Sequence, residues 1–287
     1  MRIDCHMHTP LCGHAFGEPA AYVREAERQG IGLVTFTCHI PMEHEGFGGE
    51  GIRMRSRQLE KYRALVDEAV AVGKKSGVEV LRGIEAEVFP DPEIMTAMQA
   101  TLDAQDFDFV LGSLHHQVPR YQDWIERNGL VDDHDIIEHY FQHLTEGAES
   151  GLYHSMSHPD VIRIYGTVEH FEPEEHESTI RDFLQAVSDA DICIEVNTSG
   201  EAYVDHAIAS ARYSLCSVSE ETEDEFVTGG IGRDGVRTVG IGEYTYAFTG
   251  NNNGNTWQSV TGRSVGHLTG HLALGPCCST EQHSRKE

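Results

Sequence analysis

Apolar residues along this chain fall into two alternating rhythms. Short runs rich in β-branched residues alternate with longer stretches whose apolar positions recur every three or four residues. The first kind predicts strands at RIDCHMHT (2–9), IGLVTFTCH (31–39), VEVLRGIEAEV (78–88), FDFVLGSLHH (107–116), YHSMSHPDV (153–161) and DICIEVNTSG (191–200). The second predicts helices over 18–30, 55–77, 92–105, 135–151 and 174–190. Strands alternating with helices in this way imply an α/β fold with a parallel sheet, most simply a closed or nearly closed barrel. Gly30, Gly77 and Gly151 stand just past helical stretches, where a left-handed cap is needed. Tyr140, Phe141 and Leu144 read as the core face of their helix.

The rhythm stops after about Glu201. The remainder is rich in Gly, Thr, Ser and Asn and has no convincing helical period. Residues 235–248 could pair as a hairpin; the rest is expected to be irregular or disordered, and an out-of-frame ending is compatible with it. The chain of 287 residues fits either one large α/β domain or two small domains. The expected division is a catalytic barrel over 1–202 and an atypical Gly/Ser/Thr-rich tail over 203–287.

Charge narrows the partners. A net charge of −26 repels nucleic acid and anionic membranes over the whole surface. Four lysines stand against 17 arginines and 47 acidic residues, a balance that suggests adaptation to high salt, where screening removes self-repulsion. The opening MRIDCHMHTP has no apolar run of the secretory kind, and no stretch approaches the roughly 18 apolar residues of a membrane span, so a soluble, cytoplasmic protein is expected. The seven cysteines lack C-x-x-C spacing and read as reduced thiols. Cys5, Cys12 and Cys38 each lie within two residues of a histidine, which leaves a role near metal open beside the simpler reading as small buried residues. A homo-oligomer is compatible with all of this.

The chemistry lies at the strand ends. His6 and His8 are two apart on a predicted strand, so both imidazoles face the same way. One such pair means little among 18 histidines. However, His39, Glu85, His115 and His158 also stand at or near the ends of later strands, and a β/α barrel opens all its strand ends on one face. Imidazoles with a few carboxylates suit Zn, Mn or Fe better than Mg or Ca. Glu85 has two oxygens and can bridge two ions, an arrangement well matched to phosphate-ester hydrolysis.

The motifs D-C-H-M-H-T, L-C-G-H-A, F-T-C-H-I-P, G-I-E, G-S-L-H-H, M-S-H-P-D and E-V-N-T-S-G together resemble those of the PHP superfamily of metal-dependent phosphoesterases. Their spacing over roughly residues 1–200 is most similar to its histidinol-phosphate phosphatase branch. That resemblance implies a distorted (β/α)7 TIM-like barrel holding two to three divalent ions. It places His6, His8 and Glu85 on a first ion, Glu85, His115 and His158 on a second, and His14 and His39 on a third. Glu85, His115 and His158 are thereby the expected catalytic residues. It also implies hydrolysis of L-histidinol phosphate to L-histidinol and phosphate in histidine biosynthesis. Arg163, four residues past the H-P-D, takes the position of a phosphate-binding arginine; a surface arginine at a helix start is the other reading.

The chain departs from that pattern at its end. The S-D-x-H of the family's seventh strand, which would supply two more ligands, does not occur after Gly200, and Glu201 stands where the family often carries an arginine. The last strand is therefore expected to be atypical or incomplete. His267 and His271 could substitute at helical spacing. His44, His116, His134, His139, His143, His154, His170, His176, His206 and His283 read mostly as surface residues, and Asp160 as organising the His158 loop. Two alternatives stay open: a PHP phosphoesterase for a nucleotide or sugar phosphate, and a catalytically impaired remnant.

Overall fold

A computed structural model describes residues 2–49, 51–195, 236–241, 244–249 and 259–264. Six parallel strands run in chain order: β1 (Arg2–Met7), β2 (Ile31–Phe36), β3 (Glu79–Glu87), β4 (Phe109–Ser113), β5 (Ser155–Met156) and β6 (Cys193–Ile194). Between them lie α1 (Pro19–Gln29), α2 (Leu59–Ser76), α3 (Pro92–Asp103), α4 (Pro119–Arg127), α5 (Asp133–Glu149) and α6 (Glu177–Asp189). Neighbours in sequence are neighbours in the sheet, as in a TIM-like barrel, and helices make every crossover.

The sequence explains the elements it builds. Gly30 and Gly77 end α1 and α2 at φ values of 69° and 78°, which a side chain would strain. Asp91 caps α3, its carboxylate accepting from the N–H groups of Glu93 and Ile94, and Pro92 takes the first helical position, where its missing N–H costs nothing. β4 is buried on both faces, as helix-covered parallel strands are, so it reads as a continuous apolar run. Tyr140, Phe141 and Leu144 are fully buried, as the helix-face reading requires.

Two features were not anticipated. α4 was not predicted, because its nine residues, PRYQDWIER, are too few for the period to stand out; Tyr121 and Ile125 are its buried pair. Second, His116, His143 and His176 are buried, against their reading as surface residues. Each has found a hydrogen-bond partner: Thr167 and the Val161 carbonyl for His116, the Tyr121 hydroxyl for His143, and the Glu138 carboxylate for His176. His206 and His283 lie outside the described residues, as do His267, His271 and Glu201.

Within 203–287 the described residues form a small antiparallel sheet of β7 (Val236–Ile241), β8 (Tyr244–Thr249) and β9 (Ser259–Ser264). β7 and β8 make the hairpin expected over 235–248. The seventh parallel strand of the expected barrel is not among the described residues.

Candidate metal centre

Each parallel strand delivers a candidate donor at or within three residues of its carboxyl end. β1 ends at Met7, before His8; β2 at Phe36, before His39; β4 at Ser113, before His115; β5 at Met156, before His158; and β6 at Ile194, before Glu195. β3 carries Glu85 inside its last turn of pleat, and Glu85 pairs with His39 in an isolated parallel bridge.

Glu85 is the hub. Its side chain is only 1% exposed, and both oxygens are surrounded by imidazoles. Oε1 lies 3.2 Å from Nε2 of His115 and 3.2 Å from Nε2 of His158. Oε2 lies 3.0 Å from Nδ1 of His39, 3.3 Å from Nε2 of His6 and 3.6 Å from Nε2 of His8. His14, on the loop after β1, reaches the cluster from the exposed side, with its ring 4.8 Å from that of His39 and 5.3 Å from that of His8. Three triads bring ligand atoms within 4.8 Å of one another: His6, His8 and Glu85; His39, Glu85 and His115; and His8, His14 and His39. All seven expected ligands thus converge, though they were read from residues up to 152 positions apart, His6 to His158.

This donor set fits transition-metal ions. One carboxylate cannot satisfy five imidazoles by proton sharing alone, because protonating them all would bury a cluster of like charges. Burial, against the opposing pull of Glu85, pushes His39 down to about 3, whereas the carboxylates outweigh burial at His115, raised to about 9 beside Glu87 and Glu85, and at His6, raised beside Glu195 and Glu85. Nitrogen donors with a bridging oxygen suit zinc and its neighbours.

A supporting layer orients the imidazoles. Nδ1 of His115 lies 3.1 Å from both oxygens of Glu87, and Glu87 is ion-paired with Arg53; both are buried. Burial works against the charge on Glu87, but Arg53 and His115 outweigh it and hold the carboxyl down to about 2. That carboxylate fixes the His115 ring so that Nε2 faces Glu85. On the opposite side, Oε1 of Glu195 lies 2.6 Å from Nδ1 of His6, and Oε2 accepts from the His158 N–H at 3.0 Å. His158 itself holds a φ of 29°, a strained value for a residue with a side chain. Asp4 is also buried and accepts from the His6 N–H through Oδ1.

Cys12 and Cys38 reach the edge of the cluster. The Cys12 sulfur is 3.4 Å from Nδ1 of His8 and 3.5 Å from the Cys38 sulfur, and both thiols are buried and free. Hydrogen bonding from Cys38 lowers the Cys12 thiol, aided by His14 and His8, while burial and the neighbouring Cys12 raise that of Cys38. Of the three cysteines that stand beside histidines in the sequence, Cys12 and Cys38 lie against the cluster, and both are buried, as the simpler reading also had it. Arg163 closes a short 3-10 turn at Val161–Arg163. Its side chain is 8% exposed and its Nε lies 3.7 Å from Asp160, so it is not the surface arginine of the alternative reading.

Sequence reasoning missed Glu195, Glu87 and Arg53. The strand-end rule applied to EVNTSG would have found Glu195, since it follows β6 as His8 follows β1. Glu87 carried a weaker signal, two residues past Glu85 and so on the same face of β3. Nothing in the spacing of Arg53 marks it.

Comparison with known proteins identifies the family. The PHP domain family matches residues 4–199. A protein of Deinococcus radiodurans named "Probable histidinol-phosphatase" is 31% identical over 200 residues, covering 69% of this chain and 73% of the relative. A Caldanaerobacter subterraneus protein named as a "Probable phosphatase" is 31% identical over 126 residues, 44% of each chain. The fold is similar to that of a histidinol phosphate phosphatase from Lactococcus lactis, solved with zinc, L-histidinol and phosphate. The TM-score is 0.62 at 18% identity, covering 80% of this chain and 84% of that one. The chain belongs to the PHP-domain family, the metal-dependent phosphoesterases that its motifs resemble.

Proposed function

We propose that this PHP phosphoesterase hydrolyses L-histidinol phosphate to L-histidinol and phosphate. The observation that carries the chemistry is the convergence of five imidazoles on the two oxygens of Glu85. Support for the substrate comes from the named relative in Deinococcus radiodurans and from the L-histidinol and phosphate held by the Lactococcus lactis enzyme.

In this reading His6, His8 and Glu85 hold one ion, Glu85, His115 and His158 a second, and His14 and His39 a third, with zinc, manganese or iron as the candidates. Such ions bind phosphoryl oxygens, activate water and offset charge on the leaving oxygen. The protein's own part is positional. Glu85 keeps the imidazoles within one bridge of each other; Glu87 and Glu195 hold His115 and His6 in the orientation that points Nε2 inward. Arg163, beside the His158 loop, binds the substrate phosphate. We assign the catalytic work to residues 1–202 and treat 203–287 as an atypical tail.

The test is phosphate release from L-histidinol phosphate by the zinc- or manganese-loaded chain, beside sugar and nucleotide phosphates, with His8→Ala as the control. A preference for histidinol phosphate that disappears in the control supports the proposal. Equal turnover of all esters would leave a phosphoesterase of different specificity. Absence of turnover by the folded, metal-loaded protein would favour the impaired remnant suggested by the missing S-D-x-H motif.

A further inference from the structure

A second set of donors lies outside the Glu85 cluster, where α5 meets the chain leading into α6. His134 and Glu138 are four residues apart on α5 and so share one face. His176 ends the 3-10 turn Pro173–His176 that immediately precedes α6. The three residues offer ligand atoms that all lie within 4.8 Å of one another.

Two of these donors are already held in place. The His176 side chain is 2% exposed, and its Nδ1 lies 2.6 Å from Oε1 of Glu138. The second carboxylate oxygen of Glu138 accepts a hydrogen bond from the Thr179 hydroxyl. Phe171 lies parallel to the His176 ring at 6.1 Å. The third donor is free to adjust: His134 is exposed, its ring stacked on that of His176 at 4.8 Å.

We propose that His134, Glu138 and His176 form a separate divalent transition-metal site, best suited to zinc, that fastens α5 to the segment entering α6. Two imidazoles and one carboxylate, with water as a fourth ligand, make a common tetrahedral zinc set. Bonds of about 2.0–2.1 Å require ligand atoms roughly 3.4 Å apart. The His176–Glu138 pair, now 2.6 Å apart, therefore opens as the ion replaces the hydrogen-bonding proton between them, which is released, and the exposed His134 swings inward. The positive end of α5 opposes a cation here, and Asp132, Asp133 and Asp135 in the same turn offset it. The acidic surface as a whole concentrates cations. Among the described residues, Thr179 and Phe171, which these side chains contact, lie outside the Glu85 cluster, so the ion would fasten α5 to the segment entering α6 without entering that centre.

The experiment strips the full chain with chelator, reloads it with zinc, and counts zinc per chain in the wild type, His134→Ala and His134→Asn. His134 is exposed, so the variants lose only its stacking on the His176 ring, and circular dichroism checks that both fold. Both variants should bind one zinc fewer than the wild type, gain less melting temperature from added zinc, and release phosphate at the wild-type rate. Equal zinc counts in all three proteins, or an identical zinc-induced rise in melting temperature, would overturn the assignment.

Discussion

Oε1 of Glu195, one residue past the last parallel strand, lies 2.6 Å from Nδ1 of His6 on the first. The other oxygen of the same carboxylate holds the backbone N–H of His158. One side chain thus braces histidines from β1 and from the loop after β5. Glu195→Gln keeps the shape and removes the charge, so zinc affinity should fall about 10–100-fold, the usual cost of losing an outer partner of a ligating histidine. Competition against a chromophoric chelator measures this; unchanged affinity would show that Glu195 does not orient His6.

Glu85→Gln alters the carboxylate on which the imidazoles converge rather than a support. We expect a larger loss than the roughly 10–100-fold of an outer partner, in both zinc content and phosphate release. A variant that keeps full zinc content would mean that the imidazoles assemble the centre without their hub.

The buried Arg53–Glu87 pair predicts an asymmetry in stability. Arg53→Met strands the Glu87 carboxylate and should cost on the order of 3–5 kcal/mol in urea unfolding. Arg53→Met combined with Glu87→Leu should recover part of that loss, because the carboxylate that lost Arg53 is gone, although His115 then gives up its Nδ1 partner. If the double variant is as unstable as the single one, packing and not charge accounts for the cost.

His143 predicts an acid-sensitive helix. It is 5% exposed, its Nδ1 lies 3.1 Å from the Tyr121 hydroxyl, and burial pushes it down to about 4. A folded value below the ordinary 6.5 means that stability is complete above pH 6.5 and is lost as pH falls towards 4. The loss is on the order of 3 kcal/mol. His143→Phe should flatten this part of the stability curve relative to the wild type. An unchanged slope between pH 6.5 and 4 would assign the acid sensitivity elsewhere.

The net charge of −26 predicts a salt requirement. Raising salt from about 0.01 M to 1 M shortens the screening length from roughly 30 Å to 3 Å, and the melting temperature should rise across that range. Indifference to salt would remove the case for halophilic adaptation.

The βα order and the inward ligands were legible because both depend on period. Alternation of two puts His6 and His8 on one face, and strand ends in register bring His39, Glu85, His115 and His158 together. Helix α4 was not legible, since two buried residues in nine set no rhythm. Buried His143 and His176 were hidden for another reason: their partners, Tyr121 and Glu138, are 22 and 38 residues away, and no local pattern records such a pairing. Arg53 is similar, being 34 residues from Glu87. The sequence rules reach donors placed by the sheet and miss those placed by side-chain contact.

The order of the sheet follows the order of synthesis, and this sets when the centre can form. Each βα unit can add to the one before it as the chain emerges; the first brings His6, His8 and His14, and the later ones add their donors singly. The bracing contact that joins the two ends spans 189 residues, so the complete set of oriented donors exists only after the sixth strand has been made. A nascent chain truncated before Glu195 would therefore carry the triads formed by residues 6–115, but with His6 unbraced.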